Sequence, residues 1–302
     1  MDLKSKIILI YGPTASGKSL FALKLAKKIN GEIVNADSMQ VYKELKILTA
    51  RPFQKDLNFI KHHLYGFHSA KKKFSTGDWL KLVRKKIFEI KKRKKVPILV
   101  GGTGLYFKAL TDGLVKLPSI PINFRKKIRD LHQRIGSKDF FSKLVDIDPL
   151  SKKKINPNDS QRAIRAYEVK LFTNKSIFEW FRNTKSEYDY QDFYKIYIDF
   201  PREDLIKRIN LRSSKMIKNG AILEVKNFLR LKIAKTMTAR KAIGIHEVEE
   251  FLNKKIDLEQ VIEKISIKTR QYAKRQRTWG RGNMFDWIKL KSSSPNSFLK
   301  KI

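Results

Sequence analysis

The chain has 302 residues, enough to bury a sizeable core in one large domain or two smaller ones. Hydrophobic residues make up 41% and charged residues 32%, a folded composition rather than a disordered one, and the absence of cysteine excludes disulfides and thiolate metal sites. An excess of 67 Lys+Arg over 29 Asp+Glu, formally +38, favours a polyanionic partner, although a composition rich in Lys, Ile and Asn, of the kind an AT-rich genome encodes, accounts for part of it. No apolar run approaches the roughly 20 residues of a membrane span. The expectation is therefore a cytoplasmic protein with no membrane partner.

Lys6–Tyr11 reads as a first strand, short and rich in isoleucine, and Gly12–Ser19 as a loop. Ser19–Ile29 has Phe21, Ala22, Leu25, Ala26 and Ile29 at helical spacing, with Gly31 as its stop. Glu32–Ala36 reads as a second strand and His62–Phe67 as a candidate third. Thr76–Lys92 is helical, since Trp79, Leu80, Val83, Ile87 and Ile90 share a face. Val96–Val100 is a compact buried strand that runs into Gly101-Gly102-Thr103-Gly104. Strand, helix, strand, helix, strand is the pattern of a parallel sheet covered by helices. It changes near Leu117, punctuated by Pro118 and Pro121, and the segments to about Tyr190 are helical and basic. Phe193–Asp199 returns as a strand, Phe285–Leu290 is a further candidate, and the tail Lys291–Ile302 is expected to fray. The fold class expected is α/β, a P-loop NTPase-like parallel sheet with a helical insertion. The core is 1–116 with 191–302, and the insertion is 117–190.

Gly12-Pro13-Thr14-Ala15-Ser16-Gly17-Lys18-Ser19 matches G-x-x-x-x-G-K-[ST] in full, between a strand and a helix. Glycines there let backbone N–H groups turn around phosphate oxygens, and the following helix presents its positive end. Lys18 adds a point charge, and Ser19 is placed to ligate Mg²⁺. The motif points to a bound diphosphate or triphosphate without saying which. A Walker B strand should end in an acid, but Val96–Val100 ends in glycines, leaving Asp37 or Asp199 for that role. His62-His63 would point to opposite faces of a strand and so do not share a metal easily. At least one is read as structural.

Further blocks follow the phosphate loop in order. They are Asp37-Ser38-Met39-Gln40-Val41-Tyr42, Thr49-Ala50-Arg51-Pro52, His62-His63-Leu64 and Gly101-Gly102-Thr103-Gly104-Leu105-Tyr106. Asn158-Asp159-Ser160-Gln161-Arg162-Ala163-Ile164-Arg165-Ala166-Tyr167-Glu168-Val169 and the run Thr269–Trp279 complete the set. With these residues the sequence resembles the tRNA dimethylallyltransferase family. It departs at Leu48, where glycine is usual, at Asn156, where histidine is usual, and at Gly280, where a bulky residue is usual.

The resemblance implies transfer of a dimethylallyl group from dimethylallyl pyrophosphate to N6 of the adenosine immediately 3′ of the tRNA anticodon, with Mg²⁺ as cofactor. It implies Asp37 as general base, which a poor exocyclic amine nucleophile needs; a helix cap or Mg²⁺ ligand is the alternative for that residue. It places Thr103 as a catalytic residue beside the target base and the allylic centre, unless that hydroxyl only bonds its own loop. The leaving group would lie on Gly12–Ser19, with Lys18 and Thr14 on its oxygens. Arg212 is the added cation, unless it belongs to a solvated face with Arg208 and Lys215. Contacts to the tRNA anticodon stem-loop are implied for Asp37, Ser38, Met39, Gln40, Thr103 and Arg125, and for Gln161, Arg162, Ala163, Ile164 and Arg165. The alternative for the last run is an ordinary amphipathic helix. Some of Lys264, Lys268, Arg270, Lys274, Arg275, Arg277 and Arg281 are expected to supply phosphate contacts, with Tyr272 and Trp279 in core packing. A monomer is expected. Rival readings are an ATP-dependent small-molecule kinase, a transferase acting on free AMP, and a non-enzymatic RNA-binding protein.

Overall fold

A computed structural model describes residues 3–52, 59–182, 184–291 and 294–301. The strands are β1 (Ile7–Tyr11), β2 (Gly31–Asn35), β3 (His62–His63), β4 (Val96–Gly101), β5 (Phe193–Ile198) and β6 (Ile288–Leu290). They form one sheet in the order β3-β2-β4-β1-β5-β6, with every neighbouring pair parallel. β1 is buried along its whole length, as a central parallel strand must be.

Alternation along the strands separates the two faces of the sheet. Ile8, Ile10, Ile33 and Ile98 pack with Phe21, Ala22, Leu25 and Ala26 of α1 (Lys18–Ile29). The other face carries Tyr11, whose ring meets Phe107 of α3 (Gly104–Thr111) edge-on at 5.8 Å. α2 (Thr76–Lys92) joins that face, and its Trp79 donates to the Asn35 carbonyl at 2.9 Å. The register sets Tyr11 beside Gly101 and Tyr197, so the loops after β1, β4 and β5 leave the sheet side by side. That carboxyl edge, at the reversal of strand order around β1, is where open α/β sheets bind ligands.

Several elements differ from the sequence reading. Asn30, not Gly31, makes the left-handed helix stop (φ 54°), and Gly31 is already the first residue of β2. The third strand is only His62–His63 and the sixth only Ile288–Leu290. The tail does not fray over 294–301. It forms α12 (Ser294–Lys301), with Phe298 and Leu299 against the α1 side of the core.

The chain divides into two compact units, 1–111 with 188–302, and 112–187. The division falls a few residues before Leu117 and Tyr190. The second unit holds α4 (Ile122–Ile147), α5 (Leu150–Lys154), α6 (Ser160–Thr173) and α7 (Ile177–Arg182) around its own core of Phe140, Leu144, Ala166 and Val169. Among the described residues the first unit also holds the α-helices α8 (Arg202–Lys218), α9 (Ala221–Arg230), α10 (Ile245–Leu252) and α11 (Leu258–Asn283).

Candidate active site

The phosphate loop is shaped by backbone conformation before any side chain acts. Ala15 (φ 64°) and Gly17 (φ 85°) are both left-handed, which curls the chain and turns successive N–H groups to one side. Gly17 gives α1 no side-chain cap, and its first turn holds no acid. The positive end of the helix is thus left to an outside anion. Lys18 folds back to the Pro13 carbonyl at 3.1 Å. Ser16 Oγ is buried without a hydrogen-bond partner, and Ser19 is exposed at the start of α1.

Asp37 follows β2 on the same edge. Asn35 fixes the turn, accepting from the Asp37 N–H at 2.9 Å and donating to its carbonyl at 3.0 Å. An Asp37 carboxylate oxygen accepts from the Met39 N–H at 2.9 Å. Thr103, from the loop after β4, accepts from the Ser38 N–H at 2.9 Å. Its hydroxyl thus bonds a neighbouring loop, not its own. Arg212 of α8 donates to Thr14 Oγ1 at 3.0 Å. Thr14, Asp37, Ser38, Met39, Arg212 and Tyr272 line a crevice of about 250 Å³. A larger groove of about 450 Å³ lies between α8 and α11, lined by Arg202, Arg270, Lys274, Arg277 and Arg281 over an apolar floor. It contains neither phosphate-loop residues nor a carboxylate, whereas the smaller crevice has both, in Thr14 and Asp37.

The charges in the crevice are coupled. Burial pushes the Lys18 ammonium down to about 8, Asp37 resists this, and Arg212 adds to it. Burial also lowers Arg212, again opposed by Asp37. The phenols of Tyr65, Tyr106 and Tyr272 are pushed well up by burial, with a further contribution from Asp37. Asp37 thus couples to Lys18, Arg212 and three phenols, and Lys241 and Arg275 add further positive charge to the lining.

Other residues hold the walls, and the sequence reading assigned none of them this work. Glu224 of α9 accepts from the N–H groups of Lys46, Ile47 and Leu48 at 2.7–2.9 Å. Gln40 spends its amide on the carbonyls of Thr49 and Ala50, at 2.8 and 3.1 Å, so it braces the same loop. Gln276 of α11 is buried; its Oε1 accepts from the Thr14 N–H at 2.8 Å and its Nε2 donates to the Gly102 carbonyl at 2.9 Å. It ties the loop after β1 to the loop after β4. Gly280, one of the three departures from the family pattern, sits where a Cβ would lie 2.9 Å from Tyr11 and 3.2 Å from Tyr197. Two large rings fill the room a bulky residue would need. Tyr272 lines the crevice instead of packing in the core, and Trp279 is half-buried against Gly104. Several α11 cations are already paired: Lys264 with Glu250, Lys268 with Glu247, and Arg277 with Asp199.

The other candidate residues lie in the helical unit. Arg162 is exposed and paired one turn back with Asp159 at 3.4 Å. Arg125 and Arg165 both donate to Glu168. Ala163 is buried and Ile164 packs on the same core, so these side chains serve the helix itself. His63 is buried and bonded to Glu32 at 2.6 Å, a structural pairing. Among the described residues no group of three or more His, Cys, Asp or Glu could hold a metal, and no helix is long and apolar enough to cross a membrane.

Comparison with known proteins follows the same outline. The sequence model described as IPP transferase matches residues 40–283. A tRNA dimethylallyltransferase of Pelagibacter ubique is 58% identical over 302 residues, all of this chain and 96% of that protein. One of Rickettsia massiliae is 44% identical, over 99% of this chain and 83% of its own length. Among solved structures, a eukaryotic dimethylallyltransferase acting on tRNA is similar with a TM-score of 0.81 and 30% identity, covering 95% of this chain and 74% of the other. A tRNA isopentenylpyrophosphate transferase of Bacillus halodurans is similar at 0.71 and 31%, covering 98% and 95%.

Proposed function

The chain belongs to the IPP transferase family, and from that premise we propose how its crevice carries out the family's reaction. The protein is a tRNA dimethylallyltransferase, moving a dimethylallyl group to N6 of the adenosine immediately 3′ of the anticodon and releasing pyrophosphate. The donor in this proposal is dimethylallyl pyrophosphate. The observation that carries the assignment of roles is that Asp37 is the sole carboxylate among the described residues lining the crevice, beside Thr14 and Arg212.

The N6 lone pair forms a bond to the first allylic carbon as that carbon's bond to the diphosphate oxygen breaks. The electron pair leaves with diphosphate, and the N6 proton passes to the Asp37 carboxylate. The three neighbouring phenols hold their protons firmly, which favours Asp37 as acceptor. Lys18, Arg212, Thr14 and the N–H groups of the phosphate loop meet the charge developing on the leaving group. Preorganised donors of this kind contribute about 3–4 kcal/mol each when buried. Thr103 holds Ser38 and, with Met39 and Gln40, shapes the wall at the target base.

The donor chemistry fits Mg²⁺: Ser19 offers a hydroxyl at the head of α1, Ser16 Oγ is unpartnered, and Mg²⁺ takes few protein oxygens beside substrate phosphates. Ser19 would hold the ion, which when bound neutralises diphosphate charge. In the same reading the helical unit grips the anticodon stem-loop through Arg125, Gln161, Arg162 and Arg165, and the target base leaves its stack at a cost of a few kcal/mol. The protein works as a cytoplasmic monomer. The test is mass spectrometry of nucleosides from tRNA incubated with enzyme and dimethylallyl pyrophosphate. A prenylated adenosine is expected; ATP-dependent phosphorylation with no prenylated product would overturn the reading.

A further inference from the structure

Glu168 is almost fully buried in α6, at 1% exposure, yet it meets three arginines. Its Oε2 accepts from Arg125 Nε and Arg165 Nη1, both at 3.1 Å. Its Oε1 has no hydrogen bond and lies 3.7 Å from Arg129 Nε. Arg125 and Arg129 come from α4 and Arg165 from α6. The three arginine side chains remain 35–56% exposed.

One guanidinium would neutralise one carboxylate. Three leave two positive charges in excess, held together at a half-exposed surface, which costs repulsion unless an anion is taken there. Each guanidinium has five N–H donors in a fixed fork, and its contact with Glu168 engages few of them. The remainder match phosphate oxygens, and a side chain already anchored loses less freedom when it binds one. Composition does not account for the cluster. Only 18 of the 67 basic residues are arginine, so lysine is favoured nearly three to one, but all three cations here are arginine.

We propose that Glu168 is a positioning residue that locks Arg125, Arg129 and Arg165 into one phosphate-gripping cluster for the tRNA backbone. This rests on the reading that the helical unit binds tRNA. Arg129 thereby joins the RNA contacts, and Glu168 acts only through its arginines.

The test compares Glu168→Gln, Glu168→Asp and the triple change Arg125→Ala, Arg129→Ala, Arg165→Ala in prenyl transfer. Folding is checked by circular dichroism. Glu168→Gln is expected to raise KM for tRNA about tenfold, with kcat at saturating tRNA and affinity for dimethylallyl pyrophosphate within about twofold of wild type. Glu168→Asp should recover part of the loss. Added to the triple change, Glu168→Gln should raise KM no further, because its effect runs through the arginines. A folded Glu168→Gln with wild-type KM, or one that raises KM equally with and without the arginines, overturns the proposal. If the triple variant itself keeps wild-type tRNA affinity, the reading of the helical unit fails instead, and this proposal with it. Should Glu168→Gln not fold, Arg129→Met, at the most exposed member, is expected to raise KM about threefold and flatten the salt dependence of binding by 0.7–0.9 log unit, roughly one phosphate contact. An unchanged KM and slope there would also overturn it.

Discussion

In the crevice, Lys18 and Arg212 stand half-buried beside one carboxylate, Asp37, whereas in the helical unit Arg125, Arg129 and Arg165 surround a buried Glu168 and keep a third or more of each side chain in solvent. Both regions gather cations in excess of acids. The first removes its cations from water, which lowers their affinity for protons and makes them strong but pH-sensitive. The second keeps them wet, so their attraction reaches further and is screened by salt. A small dianion that must lose its shell of water suits the first arrangement, and a long polyanion that must be caught and turned suits the second.

The sharpest way to break this contrast is Asp37→Asn, which keeps shape and removes the proton acceptor. kcat should fall about 10²-fold or more with allylic diphosphate affinity little changed. Single-turnover kinetics at saturating substrates check it, and near-normal turnover would remove Asp37 from the base role. The next effect is pH dependence. Free Lys18 titrates at about 8, below its ordinary 10.5, and a bound diphosphate draws the proton back. Affinity for dimethylallyl pyrophosphate should therefore be level below pH 8 and fall about tenfold per unit above it. Between about 8 and 10.5 Lys18 holds its proton less in the unliganded fold than in the unfolded chain, so its own contribution to stability, isolated against Lys18→Met, should rise with pH, while the buried phenols, which keep protons that the unfolded chain loses, work the other way. Calorimetry across that range reads the first, and thermal melts read the second. Gln276→Ala leaves the Thr14 N–H and the Gly102 carbonyl without partners, at about 1–3 kcal/mol of stability, and diphosphate affinity should drop in parallel; urea titration measures the loss. The smallest effect belongs to Arg162→Ala. That side chain is 70% exposed with a one-turn partner, so tRNA affinity should weaken only a few-fold and the salt slope flatten, which filter binding across a salt series would show.

What could be read in advance follows from how local each signal is. The phosphate loop, the strands on either side of β1 and the turn at Asp37 are written in runs of five to ten residues, where spacing alone limits the geometry. Gln276 was visible only as one residue of a basic helix. Its role depends on a partner more than 200 positions away, and no periodicity carries that. Glu224 and Glu168 are acids in charged helices, and nothing in their local sequence shows that both point inward to groups on other elements. Gly31 was misread because both glycine and asparagine adopt the left-handed turn, and here Asn30 took it. The tail was misread because its apolar pair, Phe298 and Leu299, is too short to show a face until α1 supplies the other half.

The hydrogen bond from Thr14 to Gln276 joins residues 262 positions apart. Translation delivers the chain from its N-terminus at roughly 5–20 residues per second, so the two partners are made about 13–50 s apart. Through that interval a nascent chain already carries its phosphate loop and the strand before it, and can pair β1 with β4. It does not yet have the amide that seats Thr14 against Gly102. The ribosome therefore finishes this site from the far end of the message, and a stop codon between Ser19 and Gln276 yields a chain with the motif but without its seat.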